Sequence, residues 1–128
     1  MAQASAGYHE SIGQLKPQTL DRHRAIVSIM EELEAIDWYD QRIDAAADDE
    51  LRAILAHNRD EEKEHACMLL EWLRRRDAKL DATLRTYLLS DQPVLEIEAA
   101  ADAAQAGGSD AGEDASLGIG SLRAGVGR

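Results

Sequence analysis

The feature that most constrains this chain is an acid and a histidine, three residues apart, on the apolar side of a predicted helix. At 100° per residue, four leucines of this helix lie within about 40° of one direction. They are Leu51, Leu55, Leu69 and Leu73. Glu62 lies about 20° from that direction and His65 about 80° from it. Because a buried carboxylate is costly unless it is paired or bound to a metal, Glu62 and His65 form a candidate metal-ligand pair.

Hydrophobic spacing along the rest of the chain predicts an all-α fold. A first helix, from about Asp21 to Asp44, carries a heptad seam of Ile26, Ile29, Leu33, Ile36 and Ile43. The connector 45–50 is short, which requires two antiparallel helices, and Asp48 is the predicted N-cap of the second helix, about Asp49 to Arg75. A third helix, about Ala78 to Leu89, would cover one end. We therefore expect an antiparallel two-helix hairpin with a short C-terminal helix.

Composition excludes several classes of function. The chain has 128 residues, enough for one small domain, and a formal net charge of −11. This charge argues against nucleic acid and against an anionic membrane surface, but it suits a cation-binding protein. The sequence contains no long apolar run and no signal-peptide pattern. With a single cysteine, Cys67, no intrachain disulfide is possible, and we expect a cytoplasmic protein.

Changes in composition divide the chain into four parts. Residues 1–18 are predicted to form a flexible arm. Residues 19–98 contain the helices, with one or two further helical turns expected within 94–104. Residues 99–114 are rich in Ala, Gly, Ser and Asp and are predicted to be a flexible acidic linker, which leads to a tail at 115–128.

The tail contains three aliphatic residues separated by small ones. These are Leu117, Ile119 and Leu122. They are too few to form a core alone. Two interpretations remain open: a frayed end, or a short linear peptide that docks into a groove of another protein while the linker provides reach.

The first helix supplies one further carboxylate, Glu32, on the flank of its seam and beside Tyr39. A ferritin-like di-iron site takes a Glu from each of two helices and a Glu-x-x-His from each of two others. With Glu62 and His65, this chain holds half of that set. A two-fold dimer would bring together two copies of each ligand and bury both apolar seams in a four-helix bundle.

Such a ligand set suits iron, manganese or zinc. Two metals about 3.5–4 Å apart can pass two electrons to dioxygen or peroxide, and with iron this is ferroxidase chemistry. Glu62 would then bridge the metals, Glu32 and His65 would be terminal ligands, and Tyr39 would touch the site from its flank. The alternatives are a non-catalytic metal-binding module that oligomerises through its seam, a di-manganese or peroxide-consuming relative, and a buried Glu–His pair without metal.

Three segments resemble one known family, the encapsulated ferritins. Residues 25–42, AIVSIMEELEAIDWYDQR, are similar to the first helix of that family, and residues 54–65, ILAHNRDEEKEH, to the second. Residues 116–122, SLGIGSL, resemble the peptide that addresses cargo to encapsulin shells. The likeness covers about residues 19–98 plus the tail, and it is far more specific than an isolated Glu-x-x-His.

The resemblance implies a particular catalytic centre. In the family, a di-iron ferroxidase centre forms across a dimer interface. The positions that match its ligands are Glu32, Glu62 and His65, with Tyr39 nearby. The implied activity is oxidation of Fe(II) to Fe(III).

The resemblance also implies further sites and partners. Positions matching Glu31 and Glu34 form secondary metal sites, beside Trp38, that feed iron toward the centre. Family members form a decameric ring of five dimers inside a cytoplasmic encapsulin nanocompartment, which stores the iron mineral. Residues 124–128 extend beyond the usual end of the address peptide, and they should weaken loading if docking requires a near-terminal peptide.

Overall fold

The computed structural model describes residues 7–109, and this part of the chain is helical without strands. A 3-10 turn at Ile12–Gln14 precedes four helices. They are α1 (Pro17–Ala45), α2 (Asp49–Arg74), α3 (Ala78–Tyr87) and α4 (Val94–Ser109). The predicted all-α class is therefore confirmed. The chain divides after Leu73 into two compact units.

Helix α1 begins four residues before the predicted start at Asp21. Pro17 occupies the first turn, where its missing N–H costs no helical hydrogen bond and its fixed φ favours the helix. The preceding residue, Lys16, has extended backbone, which a following proline favours. Within the predicted N-terminal arm, the Tyr8 ring stacks on His23 of α1 with centroids 4.4 Å apart.

Helix α2 begins where its capping residue predicts. The Asp48 carboxylate accepts a hydrogen bond from the Leu51 backbone N–H at 2.8 Å, which confirms Asp48 as the N-cap. Asp49 and Glu50 follow in the first turn, where negative charge complements the helix dipole. Arg74 lies in the last turn, where positive charge does the same.

Contacts between α1 and α2 establish the antiparallel hairpin. Near the loop, the Arg59 guanidinium donates to the Asp40 carboxylate at 2.9 Å. Farther from the loop, His65 Nδ1 lies 3.6 Å from a Glu32 carboxylate oxygen. Contact positions thus fall along α1 as they rise along α2, which is the pairing predicted from the short connector. The Arg59–Asp40 pair is exposed, and such pairs contribute little stability, so it serves mainly to define register.

The hairpin encloses little apolar surface. Its buried hydrophobic residues, within the described part, are Ala25, Ala66 and Leu73. Several large apolar side chains remain about half exposed, among them Ile26, Leu33, Ile54 and Met68. Two helices cannot cover each other on all sides, so the predicted seams leave apolar area available for another surface.

The second unit is held by charge and by one buried contact. The Asp77 carboxylate caps α3 by accepting from the Leu80 N–H at 2.9 Å. Asp81 pairs with Arg74 and with Arg85, and these hydrogen bonds lower the pKa of Asp81 below its usual value. Helices α3 and α4 pack together, and Ile97 of α4 is buried.

Helix α4 differs from its prediction. It extends to Ser109, whereas one or two turns within 94–104 and a flexible linker from residue 99 were expected. The composition explains the difference, because alanine, the strongest helix former, dominates residues 99–106. The rest of the predicted linker and the tail lie outside the described residues. None of the helices described is long and apolar enough to cross a membrane.

The Asp48 cap provides a test of this local assignment. We expect Asp48→Ala to lower the free energy of unfolding by about 1 kcal/mol, because the Leu51 N–H loses its acceptor. Urea denaturation followed by circular dichroism measures the change. Asp48→Asn is the matched control, since an amide oxygen also caps, and it should retain most of the stability. Equal losses in both variants would show that charge, and not capping, is what matters at this position.

Candidate metal centre

Three predicted ligands come together in the middle of the hairpin. Glu62 and His65 are three residues apart on α2, so both project from one face of that helix. The antiparallel register places Glu32 of α1 opposite them. One ligand atom from each of the three lies within 4.8 Å of the others. Within residues 7–109, these three side chains form the one group of three or more His, Cys, Asp or Glu residues whose ligand atoms are close enough to share a metal ion.

The geometry is that of a shallow, partly covered cluster. His65 Nδ1 lies 3.3 Å from a Glu62 carboxylate oxygen and 3.6 Å from a Glu32 oxygen. The side chains of Glu32 and Glu62 are 24% and 23% exposed, whereas that of His65 is 46% exposed. The carboxylates therefore lie deeper than the imidazole, and the cluster opens to one side of the hairpin.

The two carboxyl groups perturb each other. A hydrogen bond with Glu62, helped by partial burial and by the charge of Glu62, raises the pKa of Glu32. The same hydrogen bond lowers the pKa of Glu62, and His65 lowers it further. The pKa of His65 is raised, chiefly by its hydrogen bond to Glu62. These pKa shifts have one physical cause: the three groups lie within hydrogen-bonding reach of one another, and Glu62 is the common acceptor.

These groups fit a metal ion. Two carboxylates and one imidazole are the donors that iron, manganese and zinc accept in proteins. A cation would compensate the negative charge of the two carboxylates. One chain supplies three side-chain ligands, which leaves coordination positions open. Cys67 is exposed and lies outside the cluster.

Tyr39 and Trp38 lie on α1 beyond the cluster, beside an arginine that the sequence did not single out. The Arg42 Cζ atom is 5.9 Å from the Trp38 ring centroid and 5.6 Å from that of Tyr39. Tyr39 is half-buried and Trp38 is 49% exposed. Arg42 follows these rings by four and three residues, a helical spacing that sequence reasoning could have used. The role of Tyr39 at a metal centre stays a prediction.

The remaining predicted site residues are outside the three-residue cluster. Glu31 is exposed and Glu34 is half-buried, and their role as secondary metal sites stays a prediction. The docking residues of the tail fall outside the described part of the chain; they are Leu117, Ile119 and Leu122. The sequence analysis also did not predict the Arg59–Asp40 contact.

Comparison with known proteins shows what the chain is similar to. The chain matches the EncFtn-like family over residues 7–91. It is 61% identical to an encapsulated ferritin-like protein of Rhodospirillum rubrum, over 96% of this chain and 92% of that protein. A shorter match, 43% identical, joins 40% of the chain to 39% of an encapsulin nanocompartment cargo protein of Myxococcus xanthus.

A solved structure shows the same helical arrangement. The crystal structure of a Nitrosomonas europaea protein superimposes with a TM-score of 0.67 at 58% sequence identity, covering 69% of this chain and 97% of that one. The family match includes α1, α2 and α3, and with them all three residues of the cluster. The chain therefore belongs to the EncFtn-like family of encapsulated ferritins, as its sequence resemblance predicted.

Proposed function

We propose that this protein is a ferroxidase that oxidises Fe(II) to Fe(III) at a di-iron centre formed across a homodimer interface. The observation that supports it most directly is the cluster of Glu32, Glu62 and His65, whose ligand atoms lie within 4.8 Å of one another. This is half of the ligand set of a ferritin-like di-iron site. Family membership is consistent with iron as the substrate.

A second copy of the chain would complete the centre. Two-fold pairing doubles each ligand, giving four carboxylates and two imidazoles for two iron ions. The face that opens beside His65 also carries exposed apolar side chains, Ile54 at 51% and Met68 at 58%. Both lie within about 60° of His65 around α2. Pairing through this face therefore buries apolar surface and assembles the centre in the same step.

The side chains of the proposed centre have two roles, to bind iron and to exchange protons. In this proposal Glu62 bridges the two iron ions, while Glu32 and His65 are terminal ligands. Iron binding requires the carboxylate form of Glu32 and Glu62 and the neutral form of His65, so it would release any protons that these groups carry. Two Fe(II) ions supply two electrons, and dioxygen takes them with two protons to give hydrogen peroxide. Tyr39, on the same flank as Glu32, is proposed to donate a hydrogen bond toward the centre.

Encapsulation is the second part of the proposal. Relatives are named an encapsulated ferritin-like protein and an encapsulin nanocompartment cargo protein. We propose that the tail, through Leu117, Ile119 and Leu122, docks to an encapsulin shell in the cytoplasm, and that the shell stores the oxidised iron. Assembly as a ring of five dimers belongs to the same proposal.

The secondary sites complete the proposed route of the substrate. Glu31 and Glu34 are three residues apart, so they share one edge of α1. We propose that they hold Fe(II) transiently beside Trp38 before it reaches Glu32 and Glu62. One exposed and one half-buried carboxylate would bind Fe(II) weakly, which suits a transit site because it must release its ion.

Removing any one ligand should abolish most of the catalysis. We expect Glu32→Ala, Glu62→Ala and His65→Ala each to lower the initial rate of Fe(III) formation in air roughly tenfold or more, because losing even a ligand's supporting partner costs about 10–100-fold. Absorbance of Fe(III) after Fe(II) addition measures the rate. Glu61→Ala is the matched control, because Glu61 pairs with His57, 3.0 Å away, and is outside the cluster. Wild-type rates in all three ligand variants would refute the proposal.

Anaerobic loading followed by one addition of oxygen separates the alternatives. A non-catalytic metal-binding module would bind Fe(II) and assemble without accelerating its oxidation. A di-manganese relative would be revealed by metal analysis of the isolated protein.

Shell docking should depend on the tail alone. Deleting residues 116–128 should abolish co-purification with a co-expressed encapsulin shell protein and leave iron oxidation unchanged, because the ligand cluster is on α1 and α2. Deleting only residues 124–128 is the control for the additional five residues, and it should retain or improve loading. Co-purification that survives the longer deletion would contradict the docking proposal.

A further inference from the structure

The corner between α3 and α4 exposes a small apolar patch. Two of its residues follow α3 and two open α4, at either end of the connector 88–93. We call these four side chains the corner patch; they are Leu88, Leu89, Val94 and Leu95. Their exposed fractions are 51%, 106%, 62% and 77%, in that order. The corner patch is therefore a surface that apolar side chains from elsewhere could cover.

Leu89 is the residue of the corner patch that its own surroundings do not explain. It follows the C-cap of α3 with a φ of 61°, in the left-handed region, where glycine is the usual residue. A leucine strains the backbone there, and its side chain is fully exposed, so it packs in no core of the described residues. A strained and exposed leucine points to a contact with something beyond the described residues.

The tail of the same chain is long enough to reach the corner patch. Helix α4 runs from Val94 to Ser109, a length of about 24 Å at 1.5 Å per residue. The segment 110–116 can span about 23 Å when it is extended. A chain that turns back at the end of α4 and follows the helix therefore brings residue 117 beside the start of α4.

Charge and side-chain type also match between the tail and the corner. Residues 88–98 contain three acidic residues and no basic one. These acids are exposed; they are Asp91, Glu96 and Glu98. Residues 115–128 contain two arginines and no acid, although the whole chain has a formal net charge of −11. The tail thus combines the aliphatic side chains at 117, 119 and 122 with a charge opposite to that of the corner.

We propose that the tail docks on the corner patch of its own chain, with Leu117, Ile119 and Leu122 against the aliphatic side chains and Arg123 beside the acids. This inference uses the tail that is proposed to bind the shell, but the contact needs neither a shell nor iron. A short tether gives an effective concentration on the order of millimolar, so a weak contact is enough to occupy the patch. A tighter groove in another protein then takes the tail from the patch.

Hydrogen–deuterium exchange of the iron-free, full-length protein tests this contact. The reporter is the segment 89–95, because N–H groups in a connector and in the first turn of a helix lack helical partners and exchange quickly unless they are covered. The comparison is a variant in which Leu117, Ile119 and Leu122 are all replaced by serine. We expect exchange in 89–95 to be several-fold slower in the wild-type protein. Equal exchange in the two proteins would overturn the proposal.

Leu89→Gly tests the patch from the other side. Glycine adopts a φ of 61° without strain, so the helical circular dichroism should be kept while the patch loses its most exposed side chain. We expect the amides of 117–122 to exchange faster in this variant than in the wild-type protein. Intact helices with an unchanged tail would contradict the proposal.

A charge reversal in the tail tests the electrostatic part of the contact. Arg123→Glu should speed exchange in 89–95, because like charges then oppose each other, and added salt should weaken the wild-type contact. Arg123→Lys is the matched control and should keep the protection. Equal protection in the Glu and Lys variants would show that Arg123 does not face the acidic corner.

Two further measurements assign the contact to a single chain. Dilution, and Glu62→Ala, which removes a ligand of the proposed interface centre, should both leave exchange in 89–95 unchanged. Protection that falls in either case would show that a second copy covers the patch, and this would overturn the inference. The readout requires no iron oxidation and no shell, so failure here is distinct from failure of the ferroxidase or shell-docking proposals.

Discussion

The candidate centre depends on the register between two antiparallel helices. Glu32 meets Glu62 and His65 because α1 and α2 run side by side, and the Arg59–Asp40 contact is consistent with the same alignment. A slip of one residue would rotate each helix by about 100° and carry the ligands away from one another. The short loop and the Asp48 cap fix where α2 begins, and so they set the alignment on which the cluster depends.

The charge distribution explains why such a cluster is suited to oligomers. In the single hairpin, the Glu32 and Glu62 side chains lie beside His65 and are about a quarter exposed, so water still solvates their charge. Covering them with a second apolar face would bring four such groups together and raise the cost of their charge, unless cations compensate it. Metal binding and association of two chains are therefore expected to support each other, and the same apolar seams that a single hairpin leaves exposed become the contact.

The two long helices and the ligand cluster could be predicted from the sequence. Heptad spacing and the capping aspartate predicted α1 and α2. A Glu-x-x-His pair on an apolar stripe predicted the cluster, because a charged side chain at a position expected to be buried needs a partner or a metal ion. The length of α4 was missed, since Ala-rich sequence is compatible with both helix and linker and composition alone does not decide between them. The contacts of Arg42 and Arg59 were not predicted, because a long cationic side chain on an acidic helix has many possible partners within reach. The packed structure shows which partners are used: Trp38 and Tyr39 for Arg42, and Asp40 for Arg59.

The central claim is that one chain holds half of a centre and that a second copy completes it. Native mass spectrometry of the full-length protein, with and without Fe(II) added in the absence of oxygen, tests this most directly. The account predicts assemblies built from dimers that retain two iron ions per dimer, and loss of the bound iron in Glu62→Ala. Monomers that hold iron stoichiometrically, with no association at any iron concentration, would contradict it.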